Sequence, residues 1–485
     1  MLSNVLNRDK EMDTRKRKGN ANSYRLLFIR YLHLLVTVAV FAVFWLRFHY
    51  PSGNWQVTRA FRYDIFIMLL YSLLLIWFNK TYNSYVLGYF RIRSLVFSQS
   101  LADFFSLVLI YFLVSLAWSK YRSPVLYLPM LAVQVVWNVV WSYFATYFYH
   151  RIVRRYHTAV IYRSRRDLIR FGDVSGKPLE HLFNIEKYIQ FNGTDFYEIK
   201  DKLAPYDALL VAGVNPTLMN ALRKYCVDED VRGFFLPHIG DIIMRGAEHI
   251  KSFTRPVLSV RRASKPLEYL AFKRVFDLVV SALTLVILSP LMLVTAILIK
   301  AYDGGPVFYR QVRLTKDGKE FQIIKFRSMR VDAEKDGIAR LSTGKQDLRI
   351  TPVGHFIRTC RIDELPQFLN ILKGNMSIVG PRPERPEIAR EYEKALPEFS
   401  LRLQVKAGLT GYAQVYGKYN SDPYEKLEFD LLYINQMNVL TDLELMFSTI
   451  RILFSRESTE GVENATVWMS KQETEEREKE TVNAE

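Results

Sequence analysis

In the stretch RIDELPQFLN, residues 361–370, two carboxylates stand side by side, Asp363 and Glu364, with a proline two residues on and arginines just upstream. Neighbouring side chains point to opposite faces of a strand and lie about 100° apart in mid-helix, so adjacent acids share one site most readily at a helix start. The sequence supplies such a start: Asp363 suits an N-cap, Pro366 the first turn and Gly374 the far end. Taken alone, Asp363 would cap the helix and Glu364 would complement its dipole. They have company. Arg358 and Arg361 precede them, and GPRPERP at 380–386 follows, carrying Arg382 and Arg385 on a backbone stiffened by prolines. Arginine forks match phosphate oxygens bidentately, and helix N-termini favour anions. Acids and arginines together therefore describe a site for a phosphorylated substrate. An acid in such a site either holds a divalent cation against diphosphate oxygens or attacks phosphorus itself, and the residues leave both open.

The elements that must position this site begin in a membrane. The chain has 485 residues, 49% apolar and 14% aromatic, with much of the apolar content in long runs. Four such runs, at 26–46, 63–78, 95–118 and 125–149, are close to the ~17 to 25 residues that a spanning helix needs. They predict four transmembrane helices over 24–150, after a basic tail at 1–23 that contains RKRK and lacks a small-residue cleavage site. Basic residues in that tail, at Lys80, Arg91 and Arg93, and in HRIVRRYH after the fourth run place those regions on the cytoplasmic side. The net charge of +17 suits nucleic acid, anionic lipid or a phosphorylated substrate. No nucleic-acid recognition module is visible, and membrane flanks account for much of the charge. Cys226 and Cys360 stand far apart, with no metal-ligand or disulfide spacing.

Residues 151–262 alternate short apolar runs (TAVIY, ALLVAGV) with a helical pattern (PTLMNALRKYC), which predicts a Rossmann-like parallel α/β domain. The turn after TAVIY reads RSRRD, where a dinucleotide fingerprint needs glycines, so the motif is degenerate and a scaffold or regulatory role is favoured. A linker leads into the apolar run 275–300, within the segment 263–300. Pro290 sits near its middle, where a kink is expected, with Ser289 beside it to satisfy a freed carbonyl. Lys273 and Arg274 before the run, Lys300 after it and the basic residues that follow draw both ends to one leaflet. A re-entrant helix hairpin is predicted in place of a fifth crossing. A mainly α domain spans 301–455, and the acidic tail 456–485 is too polar to fold alone.

From about 273 to 454 the chain resembles the bacterial sugar transferases, the monotopic phosphoglycosyltransferases. The resemblance rests on KRVFDLVVSALTLVILSPLMLVTAILIK, GGPVFYRQVRLTKDGKEFQIIKFRSM, RIDELPQFLNILKGNMSIVGPRP and AGLTGYAQVYG, in that order. Four spans and an α/β domain ahead of it resemble the long form, the polyprenyl glycosylphosphotransferases. The resemblance implies transfer of a hexose 1-phosphate from a UDP-sugar to undecaprenyl phosphate at the cytoplasmic face of a bacterial inner membrane, releasing UMP. It implies Asp363 as nucleophile, Glu364 as its partner, and Mg²⁺ held near Asp363. Arg358, Lys325 of KFRSM and Arg382 match positions that handle phosphate or nucleotide, and Ser289 and Pro290 match the helix-breaking pair; Arg327, Arg361 and Arg385 are expected to bind substrate with them. Assembly into a homo-oligomer stays open. The competing expectation is a non-catalytic scaffold or regulator of polysaccharide assembly, in which the acids only cap a helix.

Overall fold

The computed structural model describes residues 2–49, 59–87, 92–118, 123–153, 155, 156–165, 167–168, 182–250, 255, 257–262, 265–331, 333, 349–417 and 422–453. The acidic tail 456–485 lies outside them. The chain divides into two compact units, 1–238 and 239–485.

The first unit opens with four long helices, α1 (Leu2–His49), α2 (Arg59–Thr81), α3 (Ile92–Trp118) and α4 (Leu128–Ile152). Helix α1 takes in the basic stretch that the sequence set apart as a tail, since lysine and arginine are good helix formers. Five helices among the described residues are long and apolar enough to cross a membrane, these four and one in the second unit, and the protein is membrane-associated. Many of their large apolar side chains, such as Leu35, Phe66, Leu73 and Val136, point outward as lipid-facing residues do.

A four-stranded parallel sheet follows: β1 (Tyr156–Tyr162), β2 (Phe183–Gln190), β3 (Ala208–Ala212) and β4 (Arg232–Phe235), in the order β2-β1-β3-β4. Between β2 and β3 lies α5 (Tyr197–Leu203), and between β3 and β4 lies α6 (Pro216–Asp228), started by the Asn215 side chain accepting from Leu218 N. Alternation along β1 and β3 sends Ala159, Ile161, Leu209 and Val211 toward α6, and Val160 and Leu210 into a second cluster with Trp141 and Ala145. Both faces are thus covered, as a parallel sheet requires. At the carboxyl end of β1 the Asp167 carboxylate accepts from Ser164 N and Oγ. A Cβ on Gly213, after β3, would fall 2.1 Å from that carboxyl. An acid thus occupies the crest where dinucleotide folds place glycine N–H groups, in keeping with the degenerate motif.

In the second unit, α7 (Ile239–Arg245) buries Ile239 and Ile242 in the C-terminal core, so the division falls ahead of residue 262. A short antiparallel pair, β5 (Glu248–Ile250) and β6 (Val257–Ser259), leads to α8 (Leu267–Asp303). Helix α8 continues through Pro290. Ser289 Oγ donates to Val286 O at 2.7 Å, satisfying the carbonyl that the proline's missing N–H leaves bare. Then come the antiparallel hairpin β7 (Phe308–Leu314) and β8 (Glu320–Phe326), α9 (Pro352–Thr359), α10 (Gln367–Lys373) and β9 (Met376–Val379). The described residues end with α11 (Pro386–Ala395), β10 (Ala407–Thr410), α12 (Tyr412–Tyr416), α13 (Pro423–Gln436) and α14 (Val439–Leu453), with β10 pairing parallel to β9. Ile371, Ile378, Phe399, Leu431 and Tyr433 are central to its core.

Candidate active site

Asp363 and Glu364 lie on a 3-10 turn, Ile362–Glu364, between α9 and α10. The expected N-cap at Asp363 is not formed. Helix α10 starts at Gln367 with Pro366 in the cap position and no side-chain cap bond, because the proline closes the short turn and begins the helix anew. The far end is as expected: Gly374 takes a left-handed φ of +88°. Arg361, just past the α9 C-cap, also adopts a left-handed conformation, with φ 56°. The turn that follows keeps the acids within electrostatic reach of Arg358 at the end of α9.

Two anchors fix this segment. Asn370 Oδ1 accepts from Ile324 N at 2.9 Å and its Nδ2 donates to Gln322 O at 2.7 Å, stapling α10 to β8, the strand that carries Lys325. Arg274 of α8 donates to Ile371 O and Leu372 O at 2.7 and 2.9 Å, satisfying carbonyls at the end of α10.

The two acids have opposite surroundings. Glu364 Oε1 is 3.2 Å from Lys325 Nζ and 2.9 Å from Arg382 Nη2. Burial pushes the Glu364 carboxyl up, but Lys325, Arg382 and Arg361 overcome it and hold the group well below the usual carboxylate range. Asp363 is only 8% exposed and makes no hydrogen bond or ion pair among the described residues. Burial and then the Glu364 charge push its carboxyl up, against Lys325, Arg358 and Arg361. One acid is thus a fixed counter-ion for two cations, and the other carries no side-chain hydrogen bond or ion pair of its own among the described residues. Divergence of two neighbouring carboxyls is the usual mark of distinct roles.

Arg382 owes its place to backbone contacts and a buried charge network. Gly380 N donates to Thr410 O and Gly408 N to Pro381 O, each at 2.8 Å. A Cβ on Gly408 would lie 2.1 Å from Gly380 N, so the glycines of GPRP and KAGLTG permit backbone-to-backbone packing that no other residue allows. Beneath the loop, Arg402 donates to Arg382 O at 2.8 Å and pairs with Asp430 at 2.7 Å and Glu384 at 3.7 Å. Lys426 reaches Glu384 at 3.6 Å, and Arg313 donates to Pro383 O at 3.2 Å. Burial would raise Glu384, but Lys426, Arg402 and Arg313 bring it below its ordinary value; burial lifts Asp430 to about 6.

Lys325, Arg358, Arg361 and Arg382 therefore converge on the acids. Arg385 stands at the N-cap of α11, three residues past Arg382. Arg327 pairs with Asp303 at the end of α8. Ser289 and Pro290 lie on the exposed middle of α8. Sequence reasoning missed Asn370, Arg274, Arg313, Glu384, Arg402, Lys426 and Asp430. Asn370 left a trace, a polar residue on the apolar face of FLNIL, and Glu384 lay within GPRPERP, whereas the others are drawn from distant segments.

The donor set accommodates a divalent cation of the Mg²⁺ kind, which commonly takes one or two carboxylates with substrate phosphates and water as its remaining ligands. Asp363 is the carboxylate available for that. No group of three or more His, Cys, Asp and Glu that would cage a metal occurs among the described residues.

The family model described as bacterial sugar transferase matches residues 268–456. A UDP-glucose:undecaprenyl-phosphate glucose-1-phosphate transferase of Klebsiella pneumoniae is 42% identical over 186 residues, 37% of this chain and 40% of that protein. A UDP-N-acetylgalactosamine-undecaprenyl-phosphate N-acetylgalactosaminephosphotransferase of Aeromonas hydrophila is 40% identical over 190 residues, 39% of this chain and 44% of that protein. The chain thus spans less than half the length of these two relatives. The exopolysaccharide production protein PSS of Rhizobium leguminosarum bv. phaseoli is 37% identical over 190 residues, 37% of this chain but 94% of that protein. With nearly the whole of a small relative contained in it, and the acids, Lys325 and Arg382 gathered at one place, this chain belongs to the bacterial sugar transferase family.

Proposed function

We propose that the protein transfers a hexose 1-phosphate from a UDP-sugar to undecaprenyl phosphate and releases UMP, as the first step of exopolysaccharide or capsule repeat-unit assembly. The observation that carries this reading is the contrast between Asp363, buried and unengaged, and Glu364, held by Lys325 and Arg382. Asp363 Oδ attacks the β-phosphorus of the donor. The bond from that phosphorus to the bridging oxygen breaks, UMP leaves, and a phosphosugar stays on the aspartate. An oxygen of the lipid phosphate then attacks the same phosphorus and returns the carboxylate. Lys325, Arg358 and Arg382 carry the charge to orient a diphosphate, and burial strips water from the attacking oxygen. Mg²⁺, when bound near Asp363, would neutralise diphosphate oxygens as the leaving group departs.

Membrane placement follows the same logic. Helices α1 to α4 are read as four crossings, and α8 as a re-entrant element. Its early part is tied down by Arg274 and by Asp277, which accepts from Ile378 N at 3.1 Å. Its late part buries Ile299 with Phe326 and Ile357. Both ends thus pack on one folded unit, while Leu283, Val286 and Ile287 between them are exposed. A straight crossing would carry one end to the far side. This reading sets the catalytic domain on the cytoplasmic face of the inner membrane.

UMP release by the protein in lipid, with Mg²⁺ and undecaprenyl phosphate, tests the proposal across UDP-glucose, UDP-galactose, UDP-N-acetylglucosamine and UDP-N-acetylgalactosamine. Relatives named for a glucose and for an N-acetylgalactosamine donor match almost equally, at 42% and 40% identity, so both classes belong in the panel. Release with one donor, lost in Asp363→Asn, is expected. Folded protein silent with all four would contradict it.

A further inference from the structure

A helix bundle whose outer face is apolar has no need of a polar interior, yet α1 to α4 enclose one. His33 of α1, Asp103 of α3, and Gln134 and Asn138 of α4 are all fully buried. Asn138 links them: its Nδ2 donates to Asp103 Oδ2 at 2.7 Å, and its Oδ1 is 2.9 Å from His33 Nε2. His33 Nδ1 is 3.1 Å from the Tyr85 hydroxyl. One turn before Asn138, Gln134 Nε2 donates to the hydroxyl of Tyr71 on α2 at 2.9 Å.

Counting donors shows where the row is incomplete. Asn138 gives its N–H to the carboxylate, so its oxygen accepts, and His33 donates through Nε2–H. Nδ1 then accepts from Tyr85. The chain of donors points toward Asp103 and stops there. Asp103 Oδ1 and Gln134 Oε1 are buried acceptors with no donor, and no lysine or arginine pairs with Asp103 among the described residues. An ionised carboxylate at this depth with one amide N–H for company is costly, and intramembrane acids are usually paired or functional.

We propose that the bundle contains a site for a small monovalent cation, the proton included, centred on Asp103 Oδ1 with Gln134 Oε1 and the Tyr71 hydroxyl as neighbouring oxygens. The groups facing it are His33 from α1, Tyr71 from α2, Tyr85 from the turn after α2 and the two amides of α4. As a bound proton the occupant makes Asp103 a donor. As a metal ion it takes the oxygens left unpaired. The site is independent of the transfer chemistry.

Infrared spectroscopy of the full chain in lipid nanodiscs reads the occupant. A carboxylic-acid C=O band at neutral pH, absent in Asp103→Asn and unchanged by exchanging sodium and potassium for N-methylglucamine, identifies a proton. A band that appears only after that exchange identifies a metal ion. Asp103→Glu, which keeps the carboxyl and shifts the band, replaces the Asn variant if the latter does not fold. No band assignable to residue 103 in either buffer would overturn the proposal, since the carboxylate would then be ionised without a partner.

Discussion

At the scale of single residues, two adjacent carboxyls are set apart by what surrounds them. Asp363→Asn preserves shape and burial but removes the attacking oxygen's charge; folding is expected to survive while transfer falls by at least ~10³-fold, the scale of nucleophile loss. In the proposed mechanism Asp363 must be ionised to attack, and burial with the Glu364 charge raises its carboxyl. Transfer should therefore fall as pH drops through a value above the ~3.9 of a free aspartate, a shift visible in kcat/KM against pH. In Glu364→Gln the neighbouring negative charge is gone and Lys325 and Arg382 lose their counter-ion, so that acid limb should move to lower pH. Its plateau should also fall, and stability should drop by about 3–5 kcal/mol from an uncompensated buried lysine. An unmoved acid limb would sever the link between the two acids. The pair and its flanking arginines were legible because they sit in one short motif. Arg402 and Asp430 were not, since nothing in local spacing marks two residues that meet only under the Arg382 loop.

At the scale of elements, the site depends on a strand, a short turn and a proline-stiffened loop held in register. Asn370→Ala removes both bonds to β8 and leaves Ile324 N–H and Gln322 C=O unpaired. A loss of about 1–3 kcal/mol in thermal or denaturant unfolding is expected, with transfer reduced as Lys325 loosens from the acids. Gly408→Ala forces a Cβ against the Gly380 backbone, and transfer should collapse even if the protein folds. A fully active Gly408→Ala enzyme would show that the Arg382 loop needs no such packing. Periodicity located α6, β1 and β3 of the first unit well. It missed the 3-10 turn, because a proline at 366 reads equally as the first turn of a helix and as the close of a shorter one. The Ser289 and Pro290 pair was legible from chemistry, yet a helix that keeps its assignment across the proline is decided by the Ser289 Oγ bond, a local contact that composition does not encode.

At the scale of the whole molecule, charge and hydropathy described a membrane protein with cytosolic domains, and apolar helices bear out the membrane association. The α/β character of the middle region was legible from alternating runs, whereas the boundary at 238 was not, because α7 looks the same whichever core buries it. The re-entrant reading of α8 expects single cysteines placed at 268 and 301 to be labelled from the same side of sealed vesicles by a membrane-impermeant maleimide; labelling from opposite sides would establish a fifth crossing. All of this arrangement serves one chemical claim, that Asp363 is a covalent nucleophile. The most direct test mixes the lipid-embedded enzyme with its UDP-sugar and Mg²⁺ before any acceptor is added, then follows UMP and the mass of the peptide containing residue 363. One equivalent of UMP per site with a sugar-phosphate adduct on Asp363, discharged by undecaprenyl phosphate, is the expected result. UMP that appears only when the lipid acceptor is present, with no adduct at any stage, would contradict the account and point to single displacement.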